Sequence, residues 1–334
     1  MNLCAITGST GYIGVELCKH LAEQKYQVRA LCRSTSKAKT LLSSPEIECV
    51  EGDILDYEPL LSAFENCETV FHLAAFAKVW SKNNQDYHQI NVDGTLNAIK
   101  ACIAKKVKRL VIVSTAGVFG HSENGQLVTE ESLPAKPLST QYEKTKKQAD
   151  QEAEKYLDQL EIIWVHPTRV YGPGQLSESN AATRLIERRM IGKMKFVPSH
   201  GNQKGNYIFI GDLVKGIRQA AEKGNSGEHY LLGGNNVSYK EFYEEIDLAI
   251  GKTQRIIGLP LWLMKLVSYL ELAKAEIFGT QPLITPPFVN KYNYNWNVSH
   301  QKASTELGYK PISLSKGIKR TVIWLKDQQK TATH

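Results

Sequence analysis

A chain of 334 residues, 42% hydrophobic and 22% charged, is long enough for one large globular domain or two intimate ones. Its net charge of +7 is dispersed, and the densest basic run, 105–109, falls at a helix end, so no basic stripe with interleaved aromatics marks a nucleic-acid surface. No apolar run approaches the roughly 20 residues of a membrane span, and a glycine-rich turn follows the first residues with no secretory pattern, so the expected setting is cytoplasmic, without stable membrane insertion.

Short apolar runs occupy 3–7, 27–32, 47–52, 69–75, 109–115 and 161–167, with helical patterns near 13–24, 36–43, 57–65, 88–106 and 141–158. Several runs are apolar continuously, as strands covered on both faces are. The alternation predicts an α/β fold: a Rossmann-type doubly wound parallel sheet with a smaller, mainly helical C-terminal substrate domain. Residues 1–173 form the dinucleotide-binding part, to which 205–234 return as a strand turning into a helix and a buried strand. Residues 174–204 and 235–330 form the substrate-binding region. Within it, 259–279 reads as an apolar helix that lines a pocket, rests on a membrane surface or packs on the core. The tail 326–334 reads as frayed. Six cysteines (4, 18, 32, 49, 67, 102) lack metal-ligand spacing and read as reduced, buried thiols, with no metal site expected.

The turn after the first run reads "TGSTGYIG" (7–14). Gly8 permits a tight turn. Gly11 lets a pyrophosphate approach the backbone at a helix N-terminus. Gly14 lets helix and strand pack closely. The second run ends "LCRST": Cys32 stands where an acid binds the ribose hydroxyls in NAD sites, and Arg33 follows. A guanidinium there, with Ser34 and Lys37 beside it, suits a 2′-phosphate. NADP(H) is therefore the preferred cofactor, with NAD(H) as the alternative.

Tyr142 and Lys146 lie four apart on one helical face, a pair that composition alone would also produce. Thr140 and Glu143 form a capping-box pattern that starts this helix at the ligand-binding ends of the strands. The Gly-x-x-Gly-x-x-Gly turn, "GDILD" (52–56), "HLAA" (72–75), "VIVSTAGVFG" (111–120), "YEKTK" (142–146) and "HPTRVYGPG" (166–174) occur in order. Together they resemble the extended short-chain dehydrogenases/reductases.

The resemblance implies the site. Thr10, Tyr12 and Ile13 join the glycines around the dinucleotide. Asp53, with Ile54, meets the adenine; Leu73, Ala74 and Ala75 pass under the cofactor; Pro167, Thr168 and Val170 meet the nicotinamide. Tyr142 is the acid/base, Lys146 lowers its pKa and binds the nicotinamide ribose, and Thr115 hydrogen-bonds the reacting oxygen, with Ser114 the fallback. Asn91 bridges backbone groups, and His72 carries no chemistry. His166, Pro167 and Arg169 stand where nucleotide-sugar enzymes have Arg, Tyr and Asn. The chain is thus most similar to the 3β-hydroxysteroid dehydrogenase and dihydroflavonol 4-reductase branch. That implies a small-molecule substrate, an apolar ketone or secondary alcohol. The alternatives are a nucleotide-sugar epimerase or dehydratase and a non-catalytic NADP-binding regulator. Family resemblance also implies a homodimer through the helices at 88–106 and 141–158.

Overall fold

The computed structural model describes residues 3–123, 125–176 and 180–331. The first half builds β1 (Leu3–Thr7), α1 (Tyr12–Glu23), β2 (Gln27–Cys32), α2 (Thr35–Leu41), β3 (Ile47–Glu51), α3 (Tyr57–Phe64) and β4 (Thr69–His72). Then follow α4 (Gln85–His88), a π-helical turn (Gln89–Asp93), α5 (Gly94–Ala104), β5 (Arg109–Val113), a 3-10 turn (Ala116–Phe119), α6 (Gln141–Glu154) and β6 (Glu161–Pro167).

These strands are continuously apolar because both of their faces are covered. Ile6, Phe71, Val111, Val113 and Ile163 enter one core, whereas Ala5, Val70, Leu110, Ile112 and Ile162 enter the other. The strands pair in parallel in the order β6-β5-β4-β1-β2-β3. From β1 the chain winds one way to β2 and β3, and the other way from β4 to β6. The switch point therefore lies between the carboxyl ends of β1 and β4, the crevice where such sheets bind ligands.

The second half contains β7 (Arg169–Tyr171), α7 (Ala181–Met190), β8 (Phe196–Pro198), β9 (Lys204–Phe209), α8 (Ile210–Lys223), β10 (His229–Leu232), β11 (Asn235–Ser238) and α9 (Tyr239–Ile250). It ends with β12 (Ile257–Leu259), α10 (Leu261–Phe278), α11 (Pro286–Lys291), α12 (Gln301–Leu307) and α13 (Leu314–Thr331). Strand β10 completes a seven-stranded sheet beside β6, and α8 packs on α1, β5 and β6. Strand β9 instead joins β7 and β11 in a separate three-stranded sheet. The segment 205–234 is therefore split between the two parts.

Two expectations change. Helix α10 does not pack on the core: Trp262, Ile277 and Phe278 are about seven-tenths exposed, and only Ser268 and Ala275 are buried. The tail is helical through Thr331, while 332–334 lie outside the described residues. No helix among the described residues is long and apolar enough to cross a membrane. Helices α5 and α6 expose polar side chains such as Lys100, Lys144, Gln148 and Gln151.

Candidate active site

The glycine turn folds as its spacing demands. Gly8 has φ +69°, a conformation that costs only glycine little, and a Cβ there would lie 2.6 Å from the Ala74 nitrogen. The end of β1 thus rests directly on the strand end that carries Leu73, Ala74 and Ala75. Thr7 tightens the contact: its carbonyl accepts from the Leu73 N–H at 3.2 Å, and its hydroxyl from the Ala74 N–H at 3.3 Å. A Cβ at Gly14 would lie 2.1 Å from the Gly8 carbonyl, so helix α1 seats on the turn only with glycine there. Gly11 is the exposed N-cap of α1, where unpaired N–H groups favour an anion. The Tyr12 side chain is buried, with its hydroxyl on the Gly172 carbonyl at 3.1 Å, so only its backbone is offered to a ligand. Thr10 and Ile13 remain partly exposed on the same turn.

At the end of β2, Cys32 is buried, and its thiol contacts the Val50 carbonyl at 3.5 Å. Burial, followed by the charge of Cys49, raises its pKa and keeps the thiol neutral. Ser34 caps α2, accepting from the Lys37 N–H at 3.5 Å. Arg33 and Lys37 are exposed, and no carboxylate among the described residues pairs with either. The nearest acid on β3, Glu51, is engaged by the Thr35 N–H and hydroxyl at 3.2 and 3.0 Å. Asp53 is half-buried and accepts from the Leu55 N–H at 3.0 Å; Ile54 is buried beneath Gly94.

The capping box at the head of α6 is complete. Thr140 accepts from the Glu143 N–H at 3.2 Å, and the Glu143 carboxylate accepts from the Thr140 hydroxyl and N–H at 2.8 and 3.2 Å. This fixes where the helix begins, and hence the face that presents Tyr142 and Lys146. Tyr142 is half-buried, while Lys146 is almost wholly buried with no hydrogen-bond partner for its ammonium. A buried cation without an acceptor is costly, and the hydroxyls of a ribose would supply what it lacks. That orphaned ammonium and the glycine cradle both fit a dinucleotide lying across the switch point.

Thr115 and Ser114 separate cleanly. Ser114 is turned inward and donates to Asp150 at 2.6 Å. Thr115 caps the 3-10 turn by accepting from the Gly117 N–H at 3.2 Å, which leaves its own proton to donate outward. The fallback to Ser114 is therefore closed by a buried carboxylate.

One electrostatic expectation is not met in the protein alone. Burial, then the carboxylates of Asp150 and Glu143, push the Tyr142 pKa up, and no lowering by Lys146 offsets them. Burial also lowers the Lys146 pKa, against an opposing pull from Asp150.

His72 is fully buried, with its ring nitrogens 2.9 and 3.0 Å from the Thr7 and Thr95 hydroxyls, a satisfied strand-end residue. Asn91 sits in the π-helical turn and does bridge backbone groups: its carbonyl accepts from the Phe76 N–H at 2.7 Å. Its amide donates to the Phe76 carbonyl at 3.3 Å and to the Thr145 hydroxyl at 2.9 Å. It ties the chain after β4 to the residue preceding Lys146. Thr168 donates to Asn206 at 2.7 Å, and Pro167 and Val170 are buried beside it.

Sequence reasoning missed Asp150 and Lys291, and it named Arg169 and His166 only as departures from the nucleotide-sugar pattern. Asp150 continues the stripe of Tyr142 and Lys146 by one more i,i+4 step, a signal present in the sequence. Lys291 pairs with Glu143 at 2.5 Å, although the two are 148 residues apart. Arg169 lies among tyrosines. His166, below Thr115, has its ring nitrogens 3.3 Å from the Thr115 carbonyl and 2.8 Å from His229. Beside the start of α6, a pocket of about 370 Å³ is walled by Glu143, His121, Lys136, Asn290, Tyr294 and Trp296.

Known proteins are similar to this chain over nearly its whole length. A Synechocystis protein whose name assigns it provisionally to the dihydroflavonol 4-reductases is 29% identical, covering 96% of this chain and 94% of its own. The Arabidopsis thaliana 3beta-hydroxysteroid-dehydrogenase/decarboxylase isoform 1 is 26% identical, covering 96% and 78%. The crystal structure of UDP-glucuronic acid 4-epimerase from Bacillus cereus, in complex with NAD, superposes with a TM-score of 0.77 at 25% identity, covering 98% and 99%. The model of the NAD dependent epimerase/dehydratase family matches residues 4–233, and the chain belongs to that family.

Proposed function

We propose that the protein is an NADP-preferring oxidoreductase that interconverts a ketone and a secondary alcohol on an apolar small molecule, of steroid, flavonoid or β-keto-acid type. The observation that carries this reading is the trio at the head of α6: half-buried Tyr142, the orphaned Lys146 ammonium and the outward Thr115 hydroxyl. The bound nicotinamide supplies or accepts the hydride. Thr115 donates to the reacting oxygen, and Tyr142 gives it a proton in reduction or takes one in oxidation. Lys146 holds the nicotinamide ribose. Arg33 and Lys37, exposed and without carboxylate partners among the described residues, support a 2′-phosphate. The named activities of the Synechocystis and Arabidopsis relatives support the substrate class.

A second reading, a nucleotide-sugar epimerase or dehydratase, is favoured by the likeness to the B. cereus epimerase. Purified protein assayed with NADPH and NADH against steroid, flavonoid and β-keto-acid ketones and nucleotide sugars separates the two. Ketone-dependent NADPH consumption is expected, and Tyr142→Phe should lower it by roughly 10²- to 10⁴-fold. Use of NADH alone would overturn the cofactor preference. Turnover of nucleotide sugars alone would establish the second reading.

A further inference from the structure

Two arginines are sunk into the second half of the chain, with opposite surroundings. Arg189 is fully buried and saturated: it forms a two-pronged pair with Asp247 at 2.8 and 2.5 Å. It also donates to the carbonyls of Met194, Gln254 and Arg255. Arg169, at the head of β7, has no carboxylate within ion-pair reach among the described residues. Its one hydrogen bond runs to the Tyr207 hydroxyl at 3.3 Å. The guanidinium lies 5.5 and 5.1 Å from the ring centres of Tyr207 and Tyr239. It also rests against Gly205, where a Cβ would fall 2.1 Å from it. Tyr239 is 7% exposed, and its hydroxyl has no partner. Aromatic faces stabilise a cation but do not neutralise it, so the cage holds a positive charge and an idle hydroxyl.

The cage adjoins the catalytic helix. Lys291 is paired with Glu143, the residue after Tyr142, and its neighbour Tyr292 packs edge-on against Tyr239 with ring centres 5.5 Å apart. The Lys291 ammonium senses Arg169: after burial and the opposing pull of Glu143, the guanidinium's charge lowers its pKa. Arg169, Lys291 and Glu143 therefore form one charge group beside Tyr142, with two positive charges and one negative. The excess of positive charge favours an anion.

We infer that Arg169, flanked by Tyr207, Tyr239 and Lys291, is a specificity subsite for a carboxylate on the substrate, so that the apolar ketone or alcohol is an oxo or hydroxy acid. This rests on the ketone–alcohol reading of the same site and narrows it. A guanidinium binds a carboxylate by two parallel charge-assisted bonds, and the Tyr239 hydroxyl supplies a third donor. The apolar remainder of the substrate then lies toward Thr115 and Tyr142.

The test compares a hydroxy acid of apolar skeleton with its methyl ester, each offered to the full chain with NADP+. The native protein is expected to favour the acid in kcat/KM by roughly ten- to a hundredfold, the worth of a charge-assisted pair. Arg169→Gln should bring that ratio toward one, mainly through KM for the acid. Arg169→Lys, which keeps the charge but loses the fork, should retain part of the preference. Thermal melts of both variants establish that they fold. Equal use of acid and ester by the native protein, or an unchanged ratio in Arg169→Gln, overturns the carboxylate subsite while the ketone–alcohol reading stands. Turnover of nucleotide sugars with neither acid nor ester used overturns both.

Discussion

Asp150 lies one helical turn beyond Lys146, is buried, and holds the Ser114 hydroxyl through one oxygen while the other has no partner. Burial raises its pKa from 3.8 to about 7, with Lys146 and the Ser114 hydrogen bond pulling the other way. Because the folded pKa lies above the unfolded one, the stability this group contributes is complete below pH 3.8 and is lost as pH rises through about 7. Above that, the ionised carboxylate costs up to roughly 4 kcal/mol. Asp150→Asn removes the titration and keeps an acceptor for Ser114. Its stability relative to the native protein should therefore improve from pH 5 to pH 9, read by urea unfolding; parallel curves would rule this out. The same change deprives Lys146 of the carboxylate that supports its charge, so the alkaline limb of the rate profile should move to lower pH. The acid was within reach of sequence reasoning, because 142, 146 and 150 share one helical spacing. The closure of Ser114 was not, because only the fold shows which of two adjacent hydroxyls turns inward.

At the scale of elements, long periodic segments were legible and short or irregular ones were not. The six runs of the first half became strands near their expected limits, since continuous apolarity and flanking helices constrain each other. Strands β7, β8 and β12 have three residues each, too few to show a period. The π-helical turn that holds Asn91 leaves no pattern either, yet it is such irregular turns that often carry functional side chains. Helix α10 has the composition of a core helix and stands exposed, because apolarity does not reveal whether a neighbour exists to cover it. The joint between α7 and α9 is clearer in its consequence. Arg189 is fully buried, and Asp247 is its only carboxylate among the described residues. Asp247→Ala leaves an uncompensated buried guanidinium and should cost about 3–5 kcal/mol in urea unfolding. It should also loosen the loop before β12, whose carbonyls at Gln254 and Arg255 share the same cation. A loss below about 1 kcal/mol, the range of exposed pairs, would show that water reaches the pair.

For the whole molecule, acid works against three histidines that are packed into the sheet in neutral form. His72 at the end of β4 has its pKa lowered to about 3, by burial and then the charge of Lys146. His229 falls to about 4 through burial and then Lys302, with Glu228 opposing. His166 falls well below 6.5, chiefly by burial and then by His229. A depressed folded pKa means that the stability is present above the unfolded value of 6.5 and is lost as pH falls from there toward the folded value. Each such histidine therefore removes about 1.4 kcal/mol per pH unit across that window. Glu130 and Asp212 run the other way, as does Asp150, since burial raises all three. The net slope is a difference, and single substitutions isolate its parts. His72→Gln should reduce the loss of stability between pH 6.5 and pH 5 by about 1.4 kcal/mol per unit, whatever packing it forfeits. If that variant folds poorly, His229→Gln, at a partly exposed position beside Glu154, reads the same slope. A native protein whose urea midpoint is unchanged between pH 7 and pH 5, together with variants that show no change in slope, would mean that the buried histidines take up protons without unfolding. In that case the lattice of hydrogen bonds joining His72 to Thr7 and Thr95, and His166 to the Thr115 carbonyl, accommodates charge directly behind the catalytic face.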